Sequence, residues 1–287
     1  MREQIIDEIP EYYTEVVRIV KNKPLKYDET ERVLLIDGDS IAFSSTYFPG
    51  DSLLNFPTEE LQIEESKFRT RTKLQEIQNN VEEHFKIVKT FIFISGKNNF
   101  RYKIFPLYKA KRQLLPVNPL IKIIKDYMHE ELGAIKSDNA EADDYVIEAM
   151  KLSKNNCVVS SIDKDVLYYS PNIPFYNYRS YGDTIGEFKY ITEKESRLAI
   201  ACQIVTGDPT DGILGANGVG IAWCKKNLHE DMTDYQFIKN IFKAYLKSTK
   251  GDNVEAKRQM KLYYKVLKLH TQEEIKTLLS KENLVNL

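Results

Sequence analysis

No stretch of this chain approaches eighteen consecutive apolar residues, so no membrane-spanning helix is expected. The first 27 residues are polar and charged and lack the apolar centre of a secretory signal, which points to a cytoplasmic protein. Cysteine is scarce: Cys157, Cys202 and Cys224 stand far apart. They form no C-x-x-C pair and no zinc spacing with the four histidines, so they read as reduced core or surface thiols. There is no internal repeat and little low complexity. An excess of either charge is also missing, with 41 basic against 42 acidic residues, which at first argues against a nucleic-acid partner.

That average hides a polarised distribution. Acidic residues crowd positions 3–15 and 59–65, whereas basic ones crowd 97–125 and 239–268. A carboxylate-rich centre with basic flanks gives such a balance and still meets phosphate. For the C-terminal lysines, a solvated charged surface is the simpler alternative.

A length of 287 residues suits one large domain or two coupled ones. Residues 1–30 read as an extension with some helical character, ending near Lys23-Pro24. Three short apolar runs follow at 33–36, 91–94 and 157–162, ending at Asp37, Ser95 and Asp163. Such runs are the pattern of buried parallel strands. Helical stretches at about 71–89, 118–132 and 142–154 separate them, so the expected fold is α/β with a mainly parallel central sheet flanked by helices. Residues 44–70 look like a long loop. The expected core spans 31–190. Residues 191–287, with no further strand pattern, form a helical region starting with a helix over 192–205.

Position gives the polar residues their meaning, because sites in open α/β sheets form at the carboxyl ends of strands. Four acidic clusters stand out: Asp37; Glu141, Asp143 and Asp144 opening a helix; Asp163 and Asp165 past a strand; and Asp208 and Asp211, which converge if a helical turn forms there. Singly, each cluster could be a turn or a helix cap. Together, eight carboxylates at strand and helix ends are costly to gather without cations. Oxygen ligands without histidine or thiolate suit magnesium or manganese. Two such ions about 4 Å apart can clamp the attacking and leaving oxygens of a phosphoryl displacement. Directly after Asp211, Gly212, Gly215, Gly218, Val219 and Gly220 form a glycine-rich turn between helices, the second beginning near Gly220. Its bare amides can hold a phosphate without reading bases.

In their order and spacing, Ile36-Asp37-Gly38, Tyr108-Lys109-Ala110-Lys111-Arg112, Glu141-Ala142-Asp143-Asp144, Ser161-Ile162-Asp163-Lys164-Asp165 and Gly207-Asp208-Pro209-Thr210-Asp211, followed by Gly218-Val219-Gly220, resemble the 5′ nucleases. That family includes phage 5′→3′ exonucleases and ribonuclease H, the 5′-nuclease domain of DNA polymerase I, and flap endonucleases. The likeness covers about residues 31–230. It implies a PIN-like sheet with a helix–three-turn–helix element and two metal sites. Asp37, Glu141 and Asp143 would feed one site; Asp144, Asp163, Asp165, Asp208 and Asp211 would feed the other. It further implies that Lys109 and Arg112 reach the scissile phosphate, that Tyr108 stacks on a base, and that the hairpin at Gly215, Gly218, Val219 and Gly220 binds duplex backbone, with a potassium ion as a further candidate there. The implied partner is duplex DNA with a 5′ end, nick or flap, or an RNA–DNA hybrid. The expected protein is a monomer without membrane association, working beside replication proteins in the host cytoplasm if phage-encoded.

Two departures shape these expectations. Ser95 stands where the family places a carboxylate, and Asp39 is the candidate to compensate. Pro116 and Pro119 preclude a long helix between Lys109 and Glu141, so any arch is small or open. The competing readings are a PIN-type ribonuclease on single-stranded RNA, against which the glycine hairpin argues, and a non-catalytic DNA-binding relative, which Ser95 favours.

Overall fold

In a computed structural model of the chain, residues 28–49, 52–114, 116–181 and 184–269 are described. Strand β1 (Asp28–Asp37) is the centre of the sheet, and Val33 to Asp37 are buried. Helices cover both of its faces, which explains an apolar run without alternation. Strand β2 (Phe85–Ile94) pairs with β1 on one side, and β3 (Ile135–Lys136) lies beyond it. On the other side follow β4 (Cys157–Ser160), β5 (Phe175–Tyr181) and β6 (Thr184–Lys189). The order is β3-β2-β1-β4-β5-β6, parallel throughout except for the antiparallel β5–β6 pair. The expected mainly parallel sheet flanked by helices is therefore what forms.

Register does the functional work. Asp37 lies opposite Phe93 of β2, and Ile36 lies opposite Ser160 of β4. The carboxyl ends of the three central strands thus finish side by side, bringing Asp37, Ser95 and Ser161 to one edge of the sheet.

Helix α1 (Asp39–Ser45) leaves that edge and α2 (Glu59–Glu82) returns across one face. Leu34 and Ile36 pack there with Ile41, Ile77 and Val81. Helix α3 (Pro119–Glu130) starts with proline at its first turn, where no amide is needed, and with the Asn118 side chain accepting from the Leu120 amide. Helix α4 (Ala142–Leu152) covers the other face, where Val146, Ala149 and Met150 meet Val33 and Leu35. A second apolar core joins α5 (Glu193–Thr206), α6 (Ile221–Asn227), α7 (Asp234–Ser248) and α8 (Asn253–Leu267) around Val205, Cys224, Ile241, Tyr245 and Val266. The three cysteines are buried, and none of them forms a disulfide among the described residues.

Several boundaries differ from expectation. The proposed N-terminal extension falls mostly on residues 1–27, outside the described residues, and residues 28–30 already belong to β1. The expected loop over 44–70 is largely helical, holding a single turn (Ser52–Asn55) and the start of α2. The helix expected over 71–89 ends at Glu82, and β2 begins at Phe85. Two physical reasons account for this. Helix α2 meets its neighbours through Ser66 and Thr70 as well as Ile77 and Val81, so its first half shows no apolar stripe. The lower half of β2 is largely exposed and lacks a clear period-two pattern. Among the described residues, the segment between β2 and α3 holds two short helices (Phe100–Ile104 and Ala110–Gln113), and between Lys109 and Glu141 the longest helix is α3, which begins at Pro119. Among the described residues, no helix is long and apolar enough to cross a membrane.

Thr70 is fully buried, and its hydroxyl donates to the Ser66 carbonyl at 2.8 Å. Thr70→Leu should overpack this contact and cost about 1–3 kcal/mol. The check is the urea midpoint, which should fall with little change in the slope.

Candidate active site

Asp37 ends β1 with 3% exposure. Ser161 donates its hydroxyl to Asp37 Oδ2 (2.9 Å), the Asp39 amide donates to Oδ1 (3.1 Å), and the Tyr178 hydroxyl donates to the Asp37 carbonyl (3.0 Å). Beyond β4, the Ser161 hydroxyl accepts from the Asp163 amide, and Asp163 caps the single-turn helix Lys164–Tyr168 by accepting from the Asp165 amide at 2.7 Å. Glu141 precedes α4, and Asp143 and Asp144 occupy its first turn. Asp208 caps the expected helical turn, a 3₁₀ turn over Pro209–Asp211 that ends on Asp211.

Crowding perturbs these groups. Burial, with the Asp39 charge next to it, pushes Asp37 up to about 7. Burial and the charges of Asp37 and Asp163 raise Asp143 well above the usual carboxylate range. Burial and Asp165 push Asp163 up to about 6 against the opposing pull of Lys164. Opposite effects win elsewhere. Burial alone would raise Glu141, but Lys109 and Arg101 hold it below its ordinary value. Asp208 is likewise held down against burial by Lys164 and Thr210.

The cations come from two segments. Lys109 Nζ lies 2.5 Å from Glu141 Oε1 and 3.8 Å from Asp211 Oδ2, and Arg112 reaches Asp211 Oδ1 at 3.0 Å. Lys164 bridges Asp165 (3.1 Å) and Asp208 (3.0 Å). Burial would lower both lysines, but the surrounding carboxylates raise them and keep them charged. One polar cleft is lined by Lys109, Arg112, Glu141, Asp143, Asp163, Lys164, Asp165, Asp208 and Asp211. Asp37 does not line the cleft but lies within electrostatic reach of Asp143 and Asp163.

Some expected site residues are placed otherwise. Asp144 is fully buried, and Arg101 Nη1 and Nη2 donate to its two oxygens at 2.6 and 2.9 Å; Asp144 Oδ2 also accepts from the Glu141 amide. It braces the helix start rather than lining the cleft. Tyr108, expected to stack on a base, is 3% exposed and donates its hydroxyl to Glu141 Oε2 at 2.7 Å, because its ring packs into the C-terminal core. Val219 turns inward, and its amide donates to Ala216. Gly215 has φ +66°, and a β-carbon there would lie 2.4 Å from the Val205 carbonyl, so its absence of side chain serves close backbone packing. Gly218 and Gly220 face open space.

Four residues of the site were not singled out from the sequence. Arg101 is 1% exposed and, besides Asp144, donates to the carbonyls of Val266 (2.8 Å) and Lys268 (3.1 Å). Lys164 lies inside the Asp163-Lys164-Asp165 motif, where a lysine between two aspartates was the available signal. Ser161 stands in the same motif. Gln203, which donates to Asp165 Oδ2 at 2.9 Å, had no signal beyond its helical phase.

The donor chemistry fits a hard divalent cation: an all-carboxylate set with buried like charges and no histidine or thiolate. Among the described residues, no three such side chains stand in metal-holding geometry.

The strand ends of the mainly parallel sheet thus present a carboxylate cleft, and comparison with known proteins specifies the family and its PIN-like fold. Residues 32–200, more than half of the chain, match the family described as 5′-3′ exonuclease, N-terminal resolvase-like domain. The chain is 31% identical to the flap endonuclease Xni of Colwellia psychrerythraea over 200 residues, 66% of this chain and 67% of that protein. It is 28% identical to a 5′-3′ exonuclease of Buchnera aphidicola, over 69% of each. The chain belongs to the 5′ nuclease family. In fold it is similar to the T5 D15 protein co-crystallised with metal ions, with a TM-score of 0.60 at 12% identity over 89% of this chain and 98% of that one. The bacteriophage T5 flap endonuclease in complex with DNA and metal ions gives 0.57 at 14% identity, over 89% and 100%.

Two outcomes follow. Asp37 and Asp163 ionise near 7 and 6 in the folded metal-free chain, against 3.8 for an ordinary aspartate. The folded state therefore binds more protons between about pH 4 and 7, and stability falls as pH rises through that window. In chelator, the urea midpoint should be higher near pH 5 than near pH 8, and magnesium should restore it near pH 8. A flat or rising profile in chelator contradicts the assignment. Second, Arg101→Met leaves Asp144 buried without its partner and should cost about 3–5 kcal/mol. The double change Arg101→Met with Asp144→Leu should recover much of that loss in the same denaturation assay.

Proposed function

We propose that the chain is a divalent-metal-dependent 5′ nuclease that hydrolyses phosphodiesters at 5′ ends, nicks or flaps of duplex DNA, including RNA-primed DNA, with phage replication as its setting. The observation that carries this reading is the single cleft in which six carboxylates face Lys109, Arg112 and Lys164. The T5 relative's complex with DNA and metal ions supports it.

Asp37, Glu141 and Asp143 would hold one ion; Asp163, Asp165, Asp208 and Asp211 would hold the other. Asp144 supports them through Arg101 and the Glu141 amide. Bound there, such cations supply positive charge for the phosphate and a more acidic water. The chain's own groups do the positioning. Lys109 and the more exposed Arg112 stand beside Asp211 and are the donors that can turn to a phosphate oxygen. Tyr108 keeps Glu141 oriented through its hydroxyl. Gly218 and Gly220 leave a bare stretch of backbone for sequence-independent contact with duplex phosphates.

The test is cleavage of flapped, nicked, RNA-primed and single-stranded RNA substrates in magnesium, manganese or chelator. The expected result is metal-dependent cutting of the DNA substrates. Asp165→Ala should lose cutting but retain binding that weakens with salt. Preferential cutting of single-stranded RNA, or full activity in chelator or in Asp165→Ala, overturns the proposal.

A further inference from the structure

The carboxyl end of β2 carries Ser95 instead of an acid, and its hydroxyl is already committed. It accepts from the Ala142 amide at 2.9 Å and so caps the start of α4, the helix that presents Glu141 and Asp143. A carboxylate nevertheless reaches this spot from the neighbouring strand end. Asp39 Oδ1 accepts the Ser95 amide at 2.7 Å, while the Asp39 amide donates to Asp37 at 3.1 Å. Asp39 therefore spans the gap between the ends of β1 and β2, beside the buried Asp37. Among the described residues, its second oxygen accepts no hydrogen bond, and the side chain is 30% exposed. A cation already sits there: Lys125, from α3, places Nζ 2.7 Å from Asp39 Oδ1 and 3.3 Å from the Ser95 carbonyl.

We propose that Asp39 replaces the missing β2 carboxylate as a ligand of the first cation site, and that Lys125 is the counter-cation exchanged for the incoming ion. The inference rests on the metal-dependent reading above. Three features favour it over an ordinary ion pair tying α1 to α3. The negative charge is displaced by only one hydrogen bond from Ser95, where the family resemblance implies a carboxylate. Ser95, a neutral ligand already used as a cap, cannot supply that charge. Lys125 is anchored on a backbone carbonyl as well as on Asp39, so it can withdraw without being left bare. The chain thus keeps a first site, but one gated by competition between an ammonium and a divalent ion.

The experiment measures Mn²⁺ binding to the full chain by paramagnetic resonance of the free ion, with melting temperature recorded alongside. Asp39→Asn, which keeps the shape and the acceptor, should weaken one site about ten-fold or more. Lys125→Met should tighten the same site several-fold. Ser95→Asp in the Asp39→Asn background should restore binding, since a carboxylate can also cap α4. Opposite signs for the two single variants are the signature, because a purely structural pair would make both behave alike. Unchanged binding in Asp39→Asn, parallel losses in Asp39→Asn and Lys125→Met, or a folded Ser95→Asp double variant without rescue each overturn the proposal. If the unaltered chain cuts DNA with manganese and Asp39→Asn binds as it does, only this inference fails. If the unaltered chain neither binds manganese nor cuts, the metal-dependent reading fails with it.

Discussion

Mutual repulsion among carboxylates forced to one sheet edge is the constraint on which the rest of this structure depends. Parallel pairing in register ends β1, β2 and β4 together, so Asp37 and Asp163 cannot be moved apart without shifting a strand. Burial then removes the water that would screen them. The chain responds with ammonium and guanidinium groups from outside the sheet: Lys109 and Arg112 from the segment after β2, and Lys164 from the turn after β4. Among the described residues, none of Asp37, Asp143 and Asp163 is ion-paired, and these three are driven furthest toward the protonated form. The uncompensated charge is therefore concentrated on these three mutually coupled carboxylates, where a hard cation gains most.

That concentration explains which parts of the molecule could be read from its residues. Apolar runs ending abruptly on Asp37 and Asp163 are legible because a central parallel strand must be apolar on both faces and its end must be polar. The 142–152 helix shows its start through an acidic first turn and its phase through Val146, Ala149 and Met150. Contacts made by small or neutral groups are illegible for the same reason. Helix α2 buries Ser66 and Thr70, which look like surface residues in sequence. The β5–β6 pair is built from aromatic and polar residues with Ile185 as its one aliphatic, so no strand pattern stands out there. Asp144 and Asp143 are adjacent and chemically identical in sequence, and only the buried position of Arg101 separates a bracing carboxylate from one that faces the cleft. Tyr108 looked like an exposed aromatic beside basic residues, and it is the C-terminal core, folded from residues a hundred positions away, that takes its ring.

The two halves of the chain are joined at the site itself. The Lys109 amide donates to the Asp211 carbonyl at 2.9 Å, and Lys109 holds a left-handed backbone with φ +50° to do so. Gly212 sits so close to this segment that a β-carbon would lie 2.6 Å from the Leu107 carbonyl. Arg101 fastens the end of α8 through two carbonyls. These ties run between residues distant in sequence, so the spacing of Lys109, Glu141 and Asp211 is set by how the C-terminal helices pack. Core packing in α5 to α8 is in this sense part of the electrostatics of the cleft.

Ser95 fits the same balance of charges. A carboxylate at the end of β2 would add another negative group near Asp37 and Asp39, and among the described residues no lysine or arginine pairs with Asp37 or Asp143. The serine removes that charge and still caps α4, so the metal-free chain folds against less repulsion. The carboxylate at Asp39 lies further toward solvent, where Lys125 can reach it. Charge is thereby moved from a site where burial makes it costly to one where the Lys125 ammonium neutralises it. Such an exchange lowers the cost of folding without metal and, by the same linkage, lowers the free energy gained when a divalent ion binds.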